Sequence, residues 1–533
     1  MRIRASDRKL RKTLLTLLIN RFASVESKIS TRETRAFRDC SIHFAEVSNK
    51  EERRIRRRLL QEYLQQDKPG KAREPFSSLW NALLARRGMM AYLPITFVAI
   101  AMFCGASWQV FLPLTDPARY QCYALLFWLG SRATALLPAS QCAFLSLSRA
   151  VPPFHLLPLE YPPLTLLLFS LALLAPLPYY QLAFALLMSL ILVLIYSLLL
   201  HYGPRGAALV FACYIFIGAI ATAQGRFDLL PAALTLLCII AAERKQWTGA
   251  YVALALGVLI KLYPVLLFPI LFIAEQQAEG SLSICPQSLT LKAVLQHPWA
   301  LLREICRWHW KNSLIFLGVL IGVTGVFALF NFQGAFVDQF RYFAQRPVQI
   351  EATGSILLWL ATAFGYPLHI VSTYGSLNIV SELDGPVALS FEMVLIVGYV
   401  YTLWMQLRGK LDVTQGSIAV LLLFVATGKV FSPQYLIWLM PLLAYAGAFD
   451  RFWLLCWGAI SLLTTFIFTY LYSRVTDPLL IPYVPGFVPA VSIRNALFVL
   501  LTLAYLFNWF QARQRTLLPP RFTGRETRRL YDA

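Results

Sequence analysis

The chain has 533 residues, 58% of them hydrophobic and 14% charged, with 48 Lys+Arg against 27 Asp+Glu and a mean hydropathy of +0.59. A soluble domain carries about 25% charged residues, so the composition excludes an ordinary soluble enzyme. Recurring apolar runs of roughly 15–22 residues mark an all-α polytopic membrane protein.

The net charge of +21 is unevenly spread, with 22 Lys+Arg against 10 Asp+Glu in residues 1–88. That excess is expected of a cytoplasmic segment held near anionic lipid headgroups. The reading is therefore a basic cytoplasmic N-terminal extension over 1–88, a transmembrane domain over 89–512, and a basic cytoplasmic tail over 513–533. In the extension, Lys9-Leu10-Arg11-Lys12 leads into a short apolar run ending at Ile19. It is too short to span and lacks a small-residue cleavage site, so it reads as a surface-lying amphipathic helix rather than a signal peptide. Arg53-Arg54-Ile55-Arg56-Arg57-Arg58 beside a membrane domain reads as a solvated or lipid-facing face, and no nucleic-acid partner is expected.

The first span, 90–112, leaves the cytoplasm behind Arg86-Arg87 and puts Asp116 outside. An amphipathic outer loop follows, closing at Glu160-Tyr161-Pro162-Pro163. Its two cysteines, Cys122 and Cys142, read as apolar-packing thiols, with an external disulfide as the alternative. Residues 164–178 are taken to lie along or dip into the outer leaflet, because a full crossing would put Arg244-Lys245 outside, against the positive-inside tendency. Spans then follow at 181–200, 207–223 and 229–242, with a hairpin of short tilted helices at 250–262 and 265–274. The loop 275–312 is cytoplasmic, 314–330 returns outward, and 356–371 is a second dipping segment. Runs at 388–407, 418–427, 436–446, 452–472 and 496–510 complete about twelve spans. This describes a multi-pass plasma (inner) membrane protein with both termini cytoplasmic.

On that topology Asp116, Glu160, Arg226, Asp228, Lys261, Arg346, Gln349, Glu351, Lys429, Ser432 and Gln434 all fall at outer helix ends. Each alone could mark only where a helix meets water. Gathered on one side, they point to a shared polar cavity, because a charge left at the bilayer centre costs roughly 2.5–3.5 kcal/mol. Asp116 precedes Pro117, with Tyr120 one turn on, and so reads either as a helix cap or as a general base. The six histidines show no ligand spacing and no phosphate-binding glycine loop is present, so no metal or cofactor is expected.

Six stretches together carry a resemblance. They are Asp116-x-x-x-Tyr120-x-x-Tyr123-Ala124, Glu160-Tyr161-Pro162-Pro163-Leu164, Gly225-Arg226-Phe227-Asp228, Gly257 with Lys261-Leu262-Tyr263-Pro264, Arg346-Pro347-Val348-Gln349-Ile350-Glu351, and Lys429-Val430-Phe431-Ser432-Pro433-Gln434-Tyr435. In this order they resemble the GT-C class of membrane glycosyltransferases, and within it glycosyltransferase family 87, the polyprenol-phosphate-mannose-dependent α-mannosyltransferases. The resemblance covers about residues 90–510 and implies a GT-C-like transmembrane catalytic bundle with re-entrant or juxtamembrane helices. It further implies a polyprenyl-phosphate sugar donor, probed by Tyr120, Gln349, Ser432, Gln434 and Tyr435 among others, and a lipid or glycan acceptor outside the cytoplasm. Asp116 matches the catalytic aspartate, making the transfer inverting. Lys261, Arg346 and Lys429 become candidates for stabilising the leaving phosphate. The chain departs from the family between Asp116 and Glu160, where residues 139–158 look inserted. A transporter or flippase is the alternative, although no internal repeat is visible; a non-catalytic scaffold working through its basic arm is another.

Overall fold

The computed structural model describes residues 88–106, 111–112, 115–138, 140–145, 150–220, 222–280, 308–447 and 451–507. The chain divides into two units, Met1–Asn81 and Ala82–Ala533, and every described residue lies in the second. The basic extension up to residue 87, most of the 275–312 loop and the basic tail lie outside the described residues.

The described chain is mostly helical. After a 3₁₀ turn comes α1 (Leu93–Ala106), and the stretch that follows it contains α2 (Asp116–Leu129). Residues 164–178 then break into α3 (Thr165–Leu171) and two 3₁₀ turns, because Pro176 and Pro178 remove helix donors and fix φ. The apolar piece Thr165–Leu174 reaches only about 15 Å at 1.5 Å per residue, too short to cross a bilayer. Helices α4 (Tyr180–Tyr202), α5 (Ala207–Ala219), α6 (Leu229–Glu243), α7 (Trp247–Ile260) and α8 (Phe268–Ala278) follow. Beyond the next loop come α9 (Lys311–Ala328) and the short α10 (Asp338–Gln345).

Among the described residues five segments are long and apolar enough to cross a membrane: Leu177–Tyr202, Lys311–Ala328, Asp384–Leu407, Arg451–Arg474 and Phe487–Leu506. Shorter apolar helices accompany them, and the expectation of about twelve spans counted several of these as crossings. Helices α12 (Asp384–Leu407), α13 (Val413–Thr427), α14 (Tyr435–Ala446), α15 (Arg451–Thr465) and α16 (Phe487–Leu506) form the C-terminal half, with α11 (Thr353–Thr362) ahead of them. Asp412 and Gln415 cap α13 reciprocally: the Asp412 carboxylate accepts from Gln415 N at 2.7 Å, and Gln415 Oε1 accepts from Asp412 N at 3.2 Å.

Helices α13 and α14 are buried along nearly their whole lengths and pack against α6, α5 and α12. By contrast α12 presents Leu389, Met393, Ile396, Val397 and Val400 outward, each more than half exposed. In water that face would be an aggregation liability; in hydrocarbon it costs nothing, since lipid tails are as apolar as the side chains.

The sequence reading passed over one element. Residues 369–371, the end of the dipping segment expected over 356–371, begin a β-hairpin instead: α11 stops at Thr362, and β2 (His369–Thr373) turns into β3 (Ser376–Val380). With β1 (Val348–Gln349) these form an antiparallel sheet of order β1-β3-β2, in register Thr373↔Ser376 and Val348↔Ile379. The two-residue turn is Tyr374-Gly375, with φ of 52° and 66°. Positive φ at both central positions matches the right-handed twist of the strands and favours glycine. Ile370, Val371, Thr373, Ile379 and Val380 are β-branched, so side chains and turn both favour strand over helix. The sheet, α11 and the start of α16 share a second, smaller core.

Candidate active site

A cavity of about 680 Å³ lies between α2, the turn after α5, the end of α7, the sheet and the loop before α14. Among the residues singled out from sequence, Asp116, Glu160, Arg226, Lys261, Arg346, Gln349, Glu351, Ser432, Gln434 and Tyr435 line it. Tyr120, Asp228 and Lys429 do not.

Asp116 opens α2, but Thr115 is the cap: its Oγ1 accepts from Ala118 N at 3.4 Å and donates to Gln181 Oε1 at 2.6 Å. Asp116 is thereby released from capping. Arg226 Nη2 stands 2.6 Å from Asp116 Oδ2, and Arg119 Nη1 stands 3.9 Å from Oδ1. Arg119 also donates to Glu160 Oε1 at 2.6 Å. The result is a run of alternating charge, Arg226–Asp116–Arg119–Glu160, along one wall. Burial pulls both guanidinium pKa values down, but Glu160 acting on Arg119 and Asp116 acting on Arg226 outweigh it, and both end above the ordinary arginine value.

Beneath this wall Asp228 is 1% exposed and accepts from Lys261 Nζ at 2.5 Å and from Trp438 Nε1 at 2.6 Å. Lys261 also stands over the rings of Phe227 and Trp438, at 4.9 and 5.2 Å. Trp438 is stacked between neighbours, with Tyr263 at 4.1 Å and Tyr435 at 4.0 Å. Tyr120 lies in the core, stacked on Phe169 at 4.3 Å.

The opposite wall comes from two distant stretches sewn together. Gln349 N donates to Lys429 O at 2.8 Å, and Phe431 N donates to Gln349 Oε1 at 3.1 Å. This brings the Arg346–Glu351 and Lys429–Tyr435 motifs side by side. Lys429 itself pairs with Glu392 at 2.9 Å. Ser432 Oγ donates to Gln434 Oε1 at 2.5 Å. Arg346 Nη2 donates to Ser376 Oγ at 2.7 Å, while its Nε is buried with no hydrogen-bond partner among the described residues.

Glu351 lines the cavity with both oxygens occupied: Tyr472 OH donates to Oε1 at 2.6 Å and Arg494 Nη1 to Oε2 at 3.0 Å. Arg494 is 0% exposed, and its Nη2 donates to Glu351 O at 2.7 Å. Sequence reasoning missed Arg494, although an arginine inside the apolar run of α16 was a visible signal. It also missed Arg119, Tyr342, Tyr472 and Trp438, whose hydrogen-bond partners Glu160, Tyr374, Glu351 and Asp228 are remote in sequence.

Cys122 and Cys142 are joined in a disulfide, which corrects their reading as separate apolar-packing thiols. Gln141 explains the approach, since its amide donates to Ala118 O and to Gln121 Oε1, both at 2.9 Å, and so seats the loop on α2. Among the described residues no group of three His, Cys, Asp or Glu side chains is placed to hold a metal.

No protein-family model and no curated protein matches the chain. Among solved structures the chain is similar to the crystal structure of ArnT from Cupriavidus metallidurans bound to undecaprenyl phosphate, with 13% identity over 78% of this chain and 76% of that chain and a TM-score of 0.36.

Proposed function

We propose that the protein is an inverting membrane glycosyltransferase that moves a sugar, mannose by its sequence resemblance, from a polyprenyl-phosphate donor to a lipid or glycan acceptor. The observation that carries this reading is the position of Asp116 on the wall of a polar cavity, relieved of capping by Thr115 and aligned by Arg226 and Arg119. In the proposed step an acceptor hydroxyl attacks the anomeric carbon while Asp116 takes its proton. The bond between that carbon and the phosphate oxygen breaks, and the phosphate leaves with the electron pair.

The leaving phosphate gathers charge and needs cations already in place. Four basic side chains line the cavity: Arg119, Arg226, Lys261 and Arg346. The first three each face a carboxylate. Arg346 has no carboxylate partner among the described residues and keeps Nε unpaired, so we assign the phosphate to Arg346, with Lys261 beside it. The donor's lipid tail gains little by leaving hydrocarbon for a protein groove, so recognition rests on phosphate and sugar. Arg346→Ala is expected to weaken donor binding about 10- to 100-fold, the range of a charge-assisted hydrogen bond. Arg346→Lys should recover only part of it. Competition binding with the unlabelled donor measures this, and an unchanged affinity would remove Arg346 from the phosphate.

The disulfide on α2, the helix whose first turn lines the cavity, supports an extracytoplasmic site, since such bonds persist in oxidising compartments. With every cysteine except Cys122 and Cys142 replaced, Thr373→Cys in intact cells should react with an impermeant thiol reagent. Gln246→Cys should not. The reverse pattern would put the cavity on the cytoplasmic side. The activity itself is tested by incubating the purified protein with radiolabelled polyprenyl-phosphate mannose and a lipid extract. Label appearing in a new product supports transfer; donor that only crosses vesicle membranes supports a transporter.

A further inference from the structure

Arg119 is poorly fixed by its polar partners alone. Nη2 has one strong bond, to Glu160 at 2.6 Å; Nη1 lies 3.9 Å from Asp116 Oδ1; and Nε is buried with no hydrogen-bond partner among the described residues. The plane of the guanidinium therefore needs another support. Phe144 supplies one, its ring centroid 4.5 Å from the guanidinium carbon. Gly375 at the hairpin tip crowds the same group, for a Cβ there would stand 3.1 Å from Nη1.

Phe144 is itself held in place. Its ring meets Tyr123 edge-on, with centroids 5.3 Å apart and planes at 71°. Two positions earlier, Cys142 is bonded to Cys122 of α2, and Gln141 is buried with its amide donating to Ala118 O and Gln121 Oε1. Gln121 in turn donates to Leu177 O at 2.8 Å. Crosslink and amide together bring residues 140–145 onto the helix that begins with Asp116. This is the region of the loop that departs from the spacing of the resembled family.

We propose that Phe144 is a positioning residue: held on α2 by the Cys122–Cys142 bond, its ring face pins the Arg119 guanidinium between Asp116 and Glu160. The consequence for transfer rests on the proposed role of Asp116 as base. Arg119 is the charged neighbour of Asp116 Oδ1, the oxygen that Arg226 does not occupy. Errors of about an ångström in such alignment cost up to ~10²-fold in rate, so a ring that fixes the fork acts on turnover without touching substrate.

The test uses the full-length protein with Phe144→Leu, which keeps apolar bulk and removes the π face, and Phe144→Tyr, which keeps the face. Two readouts are taken: the rate at which phenylglyoxal modifies Arg119, mapped by peptide mass spectrometry, and kcat against KM for donor. Phe144→Leu is expected to raise the modification rate severalfold and to lower kcat by about three- to thirtyfold, the fold-change matching a cation–π contact, with donor KM little changed. Phe144→Tyr should restore both readouts, and the Cys122→Ala/Cys142→Ala variant should resemble Phe144→Leu. Unchanged Arg119 reactivity in Phe144→Leu would overturn the pinning whether or not the protein transfers sugar. A Tyr variant as impaired as the Leu variant would assign Phe144 to packing alone and overturn it equally. If reactivity rises as expected while the parent protein transfers no sugar, the pinning stands and the glycosyltransferase reading falls.

Discussion

Asp116→Asn is expected to reduce sugar transfer by roughly 10²–10⁴-fold, the contribution of a positioned general base, while the protein inserts and folds. The helix start does not depend on this carboxylate, because Thr115 supplies the side-chain cap. Asparagine keeps the shape and removes the proton acceptor. It also leaves Arg226 without the partner now 2.6 Å away, but Asp116 and Arg226 are each about one-fifth exposed, at 23% and 21%, so solvent replaces part of that interaction. Asp116→Glu should recover little, since one methylene shifts the carboxylate against a fixed Arg226. Initial rates at matched expression, with donor binding measured separately, check the prediction. Transfer by Asp116→Asn near the parent rate would remove Asp116 as base and bring Glu160 forward, the next carboxylate along the same wall.

The second large effect concerns stability. Arg494→Leu should destabilise the protein by about 3–5 kcal/mol, the cost of stranding one member of a buried ion pair. Glu351, 1% exposed, would keep only the Tyr472 hydroxyl on its side chain. Its main-chain carbonyl would lose the Arg494 bond and retain Asn495 Nδ2 at 3.0 Å. The Phe431 ring would also lose the guanidinium now 4.1 Å from its centroid. The double variant Glu351→Met/Arg494→Met should recover much of the loss, since no charge is then left unpaired. Thermal unfolding in detergent micelles of one composition measures both. If the double variant is no more stable than Arg494→Leu, the cost lies in the carbonyl bonds and ring contact, not in the stranded carboxylate. The pair ties the loop behind β1 to α16, so the single variant should also widen the cavity wall that carries Arg346.

Much of the fold was legible because a bilayer makes the problem local. Where no water can satisfy the backbone, a run of apolar residues must form its own hydrogen bonds as helix. Hydropathy alone thus located the long helices, and the charge of Arg244-Lys245 set residues 164–178 apart from the crossings; Pro176 and Pro178 lie where that stretch breaks. The clustering of polar residues at helix ends likewise pointed to one cavity, which nine of those eleven residues line. The hairpin could also have been read locally, from the β-branched residues flanking Tyr374-Gly375.

Tertiary structure alone decided what each polar group does. Nothing near Glu351 in the sequence announces Arg494, 143 residues away. Nor does the spacing of Cys122 and Cys142 distinguish two thiols from a crosslink; Gln141 seated on α2 does that. Lys261, Arg346 and Lys429 were equivalent as cations at outer helix ends. They became different only when Asp228 took the first and Glu392 the third, leaving Arg346 facing the cavity with no carboxylate partner among the described residues. Helix formation depends on residues a few positions apart, whereas charge pairing depends on which distant segments share a wall, and only the packed chain settles that.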